Sequence, residues 1–303
     1  MILRFHPLTT LLLLVLFSPL AQGQNNKTAS TEAARLRQEV TAVNAVPSHF
    51  ASDSGTIVPA DDSSQSAKLF KVGFHQDLMW YSNATLIKNG AKKGDAVYLP
   101  AVDVSFYKTL GSGFAANAYL RHDTFLYQDN TALNMWGTFS RFSLDYTYKD
   151  KWPTLYVGSE LYRYEALNSG QEITRAVNFI TGFDHGISLP VQGLSMIYGY
   201  RFAQIHSAPN INNSTNHRGI LGFSYEINSK WNTQITYIFE NAEYSKVVRE
   251  DTRNILAWGL NYKPYDWLSV RVTSSFADND SNSALFEYQN ISAGAGSSMS
   301  IAF

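Results

Sequence analysis

The sequence predicts an all-β fold, a single transmembrane antiparallel up-and-down β-barrel of about 12 strands. Three observations carry the expectation. From position 67 onward, strand-length segments put apolar residues on one face and polar or charged residues on the other. Tight turn signals recur about every 36 to 40 residues, with longer Asn- and Ser-rich segments between them, which is one long hairpin per period. The chain also carries 18 Tyr, 18 Phe and 6 Trp against only 16% charged residues, a composition suited to pleated surfaces and membrane interfaces.

Residues 1–23 read as a signal peptide. Arg4 and His6 precede the apolar run Leu11 to Phe17, Pro19 breaks it, and Ala21-Gln22-Gly23 places small residues at the cleavage positions. The apolar run is too short to span a bilayer, and no later stretch has the roughly 18 consecutive apolar residues of a transmembrane helix. Export without a helical anchor is therefore expected. The absence of Cys excludes a lipoprotein anchor, disulfides, thiolate metal sites and cysteine catalysis. With 24 Lys plus Arg against 25 Asp plus Glu, nothing points to a nucleic-acid partner. A mean hydropathy of −0.20 suits a barrel with a polar lumen and polar loops better than a bundle of membrane helices.

Residues 24–66 form a separate periplasmic segment, polar and Ala- and Ser-rich. Thr31 to Val40 is good helix material, with Thr31 as N-cap candidate and Glu32 as an early acid, and Pro47 ends any such helix. Ser48 to Ser66 reads as linker. A periplasmic arm is the expectation, with a plug in the lumen or a short oligomerising helix as alternatives.

Residues 67–303 are assigned to the barrel. Turn signals fall at Gly111-Ser112-Gly113, Lys149 to Pro153, Pro190 to Gly193, Asn228-Ser229-Lys230 and Lys263 to Asp266. The longer segments between them are 83–95, 128–134, 168–174, 207–216, 242–252 and 277–283. Short periplasmic turns and longer extracellular loops are the asymmetry of outer-membrane barrels. The strands are expected at 68–81, 96–109, 113–127, 135–148, 154–166, 175–188, 193–206, 217–228, 231–244, 253–263, 267–277 and 285–303. An even count returns both ends to the periplasm. Alternation is clear strand by strand: Phe142, Leu144 and Tyr146 oppose Arg141, Ser143 and Asp145, while Leu268, Val270 and Val272 oppose Ser269, Arg271 and Thr273.

Trp152, Trp231 and Trp267 each follow a tight turn, and Tyr148, Tyr262 and Tyr265 lie nearby. An indole at a membrane boundary buries its ring and keeps its N–H wet, so these residues are expected to form the periplasmic girdle. The final segment, ISAGAGSSMSIAF, puts Ile291, Ala293, Ala295, Met299, Ile301 and Phe303 on one face. Phe303 is expected as the last lipid-facing girdle residue, with strand twelve pairing strand one near Phe70. The tail resembles the C-terminal assembly signal of Gram-negative outer-membrane proteins, which implies the barrel-assembly machinery as a partner. It departs from that signal at Ser298, where a Gly is common.

The stretch Leu260 to Val270, followed by a short polar loop, Tyr288-Gln289-Asn290 and Phe303, resembles the closing hairpin of a bacterial outer-membrane β-barrel porin family associated with exopolysaccharide gene clusters. Only about 45 residues carry this resemblance, and the first nine strands add no motif to it. It implies passage of material across the outer membrane.

The predicted lumen face carries Lys71, His75, Asp77, Asp103, Glu160 and Glu240, and above all Arg121, Asp123, Arg141, Asp145, Arg201, Arg218, Glu226 and Arg271. In a narrow barrel, acids and bases either pair across the interior or line a thin aqueous path. Both readings stay open. A barrel hydrolase would need a Ser, a His in reach and a group orienting the His. His185 and Ser188, with Asp184 adjacent, supply the residue types, but residues 185 and 188 point to opposite faces of a strand. His122 and His217 are read as interface histidines. No metal-ligand spacing and no phosphate loop occur, so no cofactor, no metal and no enzymatic activity are expected.

The reading is thus a bacterial outer-membrane barrel acting as a porin-like or export-associated channel for polar solutes or polysaccharide. Outer-membrane lipid and lipopolysaccharide are its expected surroundings. The alternatives are a non-conducting structural or adhesion barrel with surface loops and a lipid-modifying barrel enzyme.

Overall fold

The computed structural model describes residues 69–83, 94–149, 152–284 and 286–303. The expected signal peptide at 1–23 and the expected helical and linker segment at 24–66 lie outside the described residues. Twelve strands follow in chain order: β1 (Phe70–Tyr81), β2 (Asp95–Gly111), β3 (Phe114–Tyr127), β4 (Met135–Thr147), β5 (Thr154–Ala166), β6 (Glu172–Ser188), β7 (Leu194–Ala208), β8 (Ser214–Asn228), β9 (Trp231–Tyr244), β10 (Arg249–Tyr265), β11 (Leu268–Ser281) and β12 (Tyr288–Ala302). Each pairs antiparallel with its neighbours in sequence, and β1 pairs β12, so the sheet closes into a barrel. Closure satisfies every ladder without leaving an edge, the condition for strands in a bilayer. It is completed at the chain end, where Phe70 N–H donates to the Phe303 carbonyl at 3.2 Å and Phe303 N–H to that of Phe70 at 2.9 Å. Among the described residues no helix is long and apolar enough to cross a membrane.

The alternation in the sequence becomes an inside and an outside. Phe74, Leu78, Leu120, Phe142, Leu161, Phe179, Phe239, Leu256, Val272 and Ile291 point outward and are exposed, while their chain neighbours point inward and are buried or, at Tyr119 and Tyr162, half-buried. In water such a surface would aggregate; against acyl chains it is the stable arrangement.

Both termini of the described barrel share one end with the tight turns. At the β2–β3 turn Gly111, Ser112 and Gly113 all take positive φ, at 93°, 51° and 83°. The two glycines enter that region without a Cβ penalty. At the β8–β9 turn the Asn228 side chain accepts the backbone N–H groups of Lys230 and Trp231 at 2.9 and 3.1 Å, a local device that fixes the turn chemistry of Asn-Ser-Lys-Trp.

At the opposite end several connections are shorter than the sequence suggests. The stretch 242–252, read as a long loop, is mostly strand: β9 runs to Tyr244 and β10 starts at Arg249, leaving only 245–248 between them. Likewise β11 continues to Ser281 and β8 starts at Ser214. These strand ends alternate polar with polar residues, so no apolar contrast marks them, yet their ladder bonds continue. Loops here are also stitched by side chains: Asp95 accepts the backbone N–H groups of Asp129 and Asn130 at 3.0 and 2.8 Å.

Candidate functional site

The inward face carries a belt of charged side chains near the middle of the strands. It exists because strand alternation sends Asp77 on β1, Asp103 on β2, Arg121 and Asp123 on β3, Arg141 on β4, Glu160 on β5, Arg201 on β7, Arg218 on β8, Glu240 on β9, Arg253 on β10 and Arg271 on β11 into one narrow space. All are buried: Glu160 is 1% exposed and Arg218 3%. Buried charges persist only when paired.

Two acids act as hubs. Glu240 accepts Arg218 Nε at 2.5 Å and an Arg253 terminal nitrogen at 3.0 Å. Glu160 binds Arg201 two strands away and Asn178 Nδ2 at 3.1 Å, with Arg141 at 3.8 Å. Elsewhere Arg121 pairs with Asp123 at 2.7 Å, His75 with Asp103, and Arg271 with Asp77 across β12. The last pair reaches over Gly296, where an added Cβ would collide with the Asp77 carboxylate. Asp145 accepts the Ser143 hydroxyl at 3.0 Å and the Asn117 amide. The result is a ring of mixed sign, with guanidinium groups held on six separate strands.

Of the residues predicted to line the lumen, Arg121, Asp123, Arg141, Asp145, Arg201, Arg218 and Arg271 lie in this buried interior. Glu226 does not join it. It has the inward parity, but β8 has reached the tight-turn end there and the residue is exposed beside Asn228. The sequence reading omitted Arg249 and Asp251 because they fell in the supposed loop 242–252, and left out Arg253 because it opened the strand expected at 253–263, with no inward-facing neighbour before it to mark its face. Their spacing, at positions 249, 251 and 253 on one face of β10, was the available signal.

Above the belt, toward the loop end, the interior of β1 to β5 changes character. Met79, Tyr81, Val97, Leu99, Phe125, Tyr127, Met135 and Tyr164 form one apolar cluster. Each lies further toward the loop end of its strand than that strand's belt charge. The interior is therefore layered, apolar near the loops and ionic at mid-height.

The exterior of the tight-turn end is aromatic. Trp152, Trp231, Trp267 and Phe303 are exposed at the tight-turn end. Trp231 stacks on Tyr262 with centroids 4.5 Å apart, Trp267 on Tyr265 at 5.6 Å, and Trp152 meets Tyr148 edge-on at 5.8 Å. The lone histidines are exterior too: His185 Nδ1 lies 2.9 Å from the Tyr198 hydroxyl, on the face opposite that of Ser188, and His217 Nδ1 lies 2.6 Å from the Tyr200 hydroxyl. Among the described residues no group of three or more His, Asp and Glu is arranged to hold a metal ion.

The barrel is similar to the COG4313 outer membrane channel from Pseudomonas putida F1, with a TM-score of 0.53 and 7% identity over 80% of this chain and 100% of that one. Lower similarity extends to the translocator domain of the autotransporter NalP from Neisseria meningitidis, at TM-score 0.46 and 12% identity over 90% of this chain and 96% of that one. The KdgM porin in complex with disordered oligogalacturonate gives 0.44 and 11% over 76% and 99%. No protein-family model and no curated protein sequence matches the chain. At these identities the likeness is one of fold. The architecture is that of a bacterial outer-membrane β-barrel.

Proposed function

We propose that the protein is a narrow channel of the bacterial outer membrane, with its tight-turn end in the periplasm and the belt of paired charges as its constriction. The observation that carries this reading is the belt itself. A barrel needing only shape could fill its interior with apolar side chains, whereas here guanidinium groups from six strands facing five acids put a polar layer across the mid-plane. Small polar ions and solutes suit this constriction best. An extended polysaccharide, the cargo implied by the resemblance of the closing hairpin, would have to displace several ion pairs to pass. Transport rather than catalysis is the role proposed, and outer-membrane lipid, lipopolysaccharide and the assembly machinery that reads β12 are the proposed partners.

A second reading, a non-conducting structural barrel, is favoured by one observation: the belt charges are buried by one another, as in an interior ion-pair network that holds the barrel in shape. Single-channel recording of the refolded protein in planar bilayers separates the two. The channel reading expects discrete current steps whose anion preference falls in Arg121→Gln and is unchanged by charge reversal within 24–66. A current no greater than that of the empty bilayer refutes it.

A further inference from the structure

The loop end of the barrel holds a cavity of about 320 Å³, formed where β6, the β7–β8 loop, the β9–β10 turn and the β11–β12 loop converge over the interior. That volume is within the range of small-molecule sites. Its apolar walls are Ile173, Ile211, Val247, Val248 and Phe286. Apolar exposure on the barrel's flank is explained by lipid. Here it is not: Ile211 lies in the connection between β7 and β8 and Val248 in that between β9 and β10, yet they are 46% and 97% exposed.

Two further features argue that the cavity is built. The β5–β6 ladder is irregular at this height, since Tyr164 pairs with Thr174 and Glu165 with Glu172, leaving Ile173 as the extra residue of a bulge. Bulges re-aim side chains, and this one packs Ile173 against the luminal apolar cluster while it also lines the cavity. Ile173 thereby joins the cavity wall to the apolar layer above the belt. Phe286 and Arg249 line the cavity together, with the Phe286 ring centroid 3.3 Å from the Arg249 guanidinium carbon; that group also stands 4.0 Å from the Tyr244 ring and is bound by both oxygens of Asp251. The Arg249 guanidinium is therefore held between two aromatic rings, and its charge is matched by Asp251.

We propose that this cavity is a binding site for a compact apolar molecule of aromatic or branched-hydrocarbon type. A sugar fits poorly, because each buried hydroxyl needs a hydrogen-bond partner and the walls are mainly hydrocarbon. A simple anion fits poorly as well, because Arg249 is already matched by Asp251. The site goes beyond the channel reading and stands whether or not the lumen conducts.

The test is fluorine NMR of 5-fluoroindole added to the full-length protein in lipid nanodiscs, with empty nanodiscs measuring partition into lipid. The expected result is a saturable component absent from empty discs. Val247→Asp and Ile211→Asn, both in connections outside the ladder, are each expected to weaken it about tenfold, the equivalent of 1.4 kcal/mol. Leu167→Asp, an exposed apolar loop residue outside the cavity walls, is expected to leave it unchanged. Retained heat-modifiable gel mobility identifies the variants that are folded. The proposal is overturned if the wild type shows only the non-saturable signal of empty discs, or if both cavity variants, folded, bind as the wild type does.

Discussion

Replacing Glu240 by Ala is the sharpest test of the ionic belt. Glu240 is 7% exposed and serves two guanidinium groups, those of Arg218 and Arg253, which lie on the strands either side of it. Its loss leaves two cations in a space with little water, and breaking one buried pair by removing a partner costs about 3–5 kcal/mol. Because both arginines depend on the same carboxylate, the expected cost for Glu240→Ala lies at the upper end, about 5 kcal/mol. The isosteric Glu240→Gln keeps an acceptor for one of them and is expected to cost about half as much. Replacing all three residues by apolar side chains of similar volume should recover most of the loss, since a buried ion network is often no more stable than well-packed hydrocarbon. The assay is reversible urea unfolding of the refolded barrel in lipid vesicles, followed by tryptophan emission. Glu226→Ala at the exposed turn end is the control, expected within about 0.5 kcal/mol of the wild type. A Glu240→Ala barrel within 1 kcal/mol of the wild type would show that the arginines find other acceptors and that the belt is not a set of mutually dependent pairs.

Gly296→Val is expected to drive a side chain into the Asp77 carboxylate and release Arg271, destabilising the seam between β12 and β1 by about 3 kcal/mol or more; Gly219→Ala, where an added Cβ meets nothing within 4 Å, should fold like the parent, and the fraction of heat-modifiable protein after refolding compares the two. Variants retaining only Trp152, Trp231 or Trp267, the other indoles replaced by Phe, should be quenched more strongly by lipids brominated near the headgroup than near the chain ends. Stronger quenching by the deep bromines would displace the girdle from the interface.

Much of this protein is legible along the chain. Period-two alternation, turn residues such as Asn228-Ser229-Lys230 and the recurrent turn-Trp pairs are local signals, each confined to a few consecutive residues, and they suffice for a closed barrel of twelve strands, its inward and outward faces and the exposed aromatics at its tight-turn end. Even the meeting of Phe303 with Phe70 follows from an even strand count and a terminal strand that must pair. Legibility fails where the local signal vanishes. Beyond the membrane both faces of a strand are polar, so Arg249 to Thr252 looked like loop, and Arg253, first residue of the expected strand, had no alternation before it to mark it as part of the belt. A bulge shifts parity by one residue without an announcing motif, so Ile173 gave no hint that it belongs to the mouth cavity.

The alternating chain thus dictated which residues face the lumen, because side-chain direction in a strand is a property of the strand alone. Which acid meets which base was decided by the closed barrel. Strand register and stagger bring Arg201 over Glu160 and carry Arg271 to Asp77, 194 residues apart in sequence, and leave Glu226 at the rim although its parity is the same as theirs. Pairing between charges depends on distances across strands, and those distances exist only once the sheet has closed on itself.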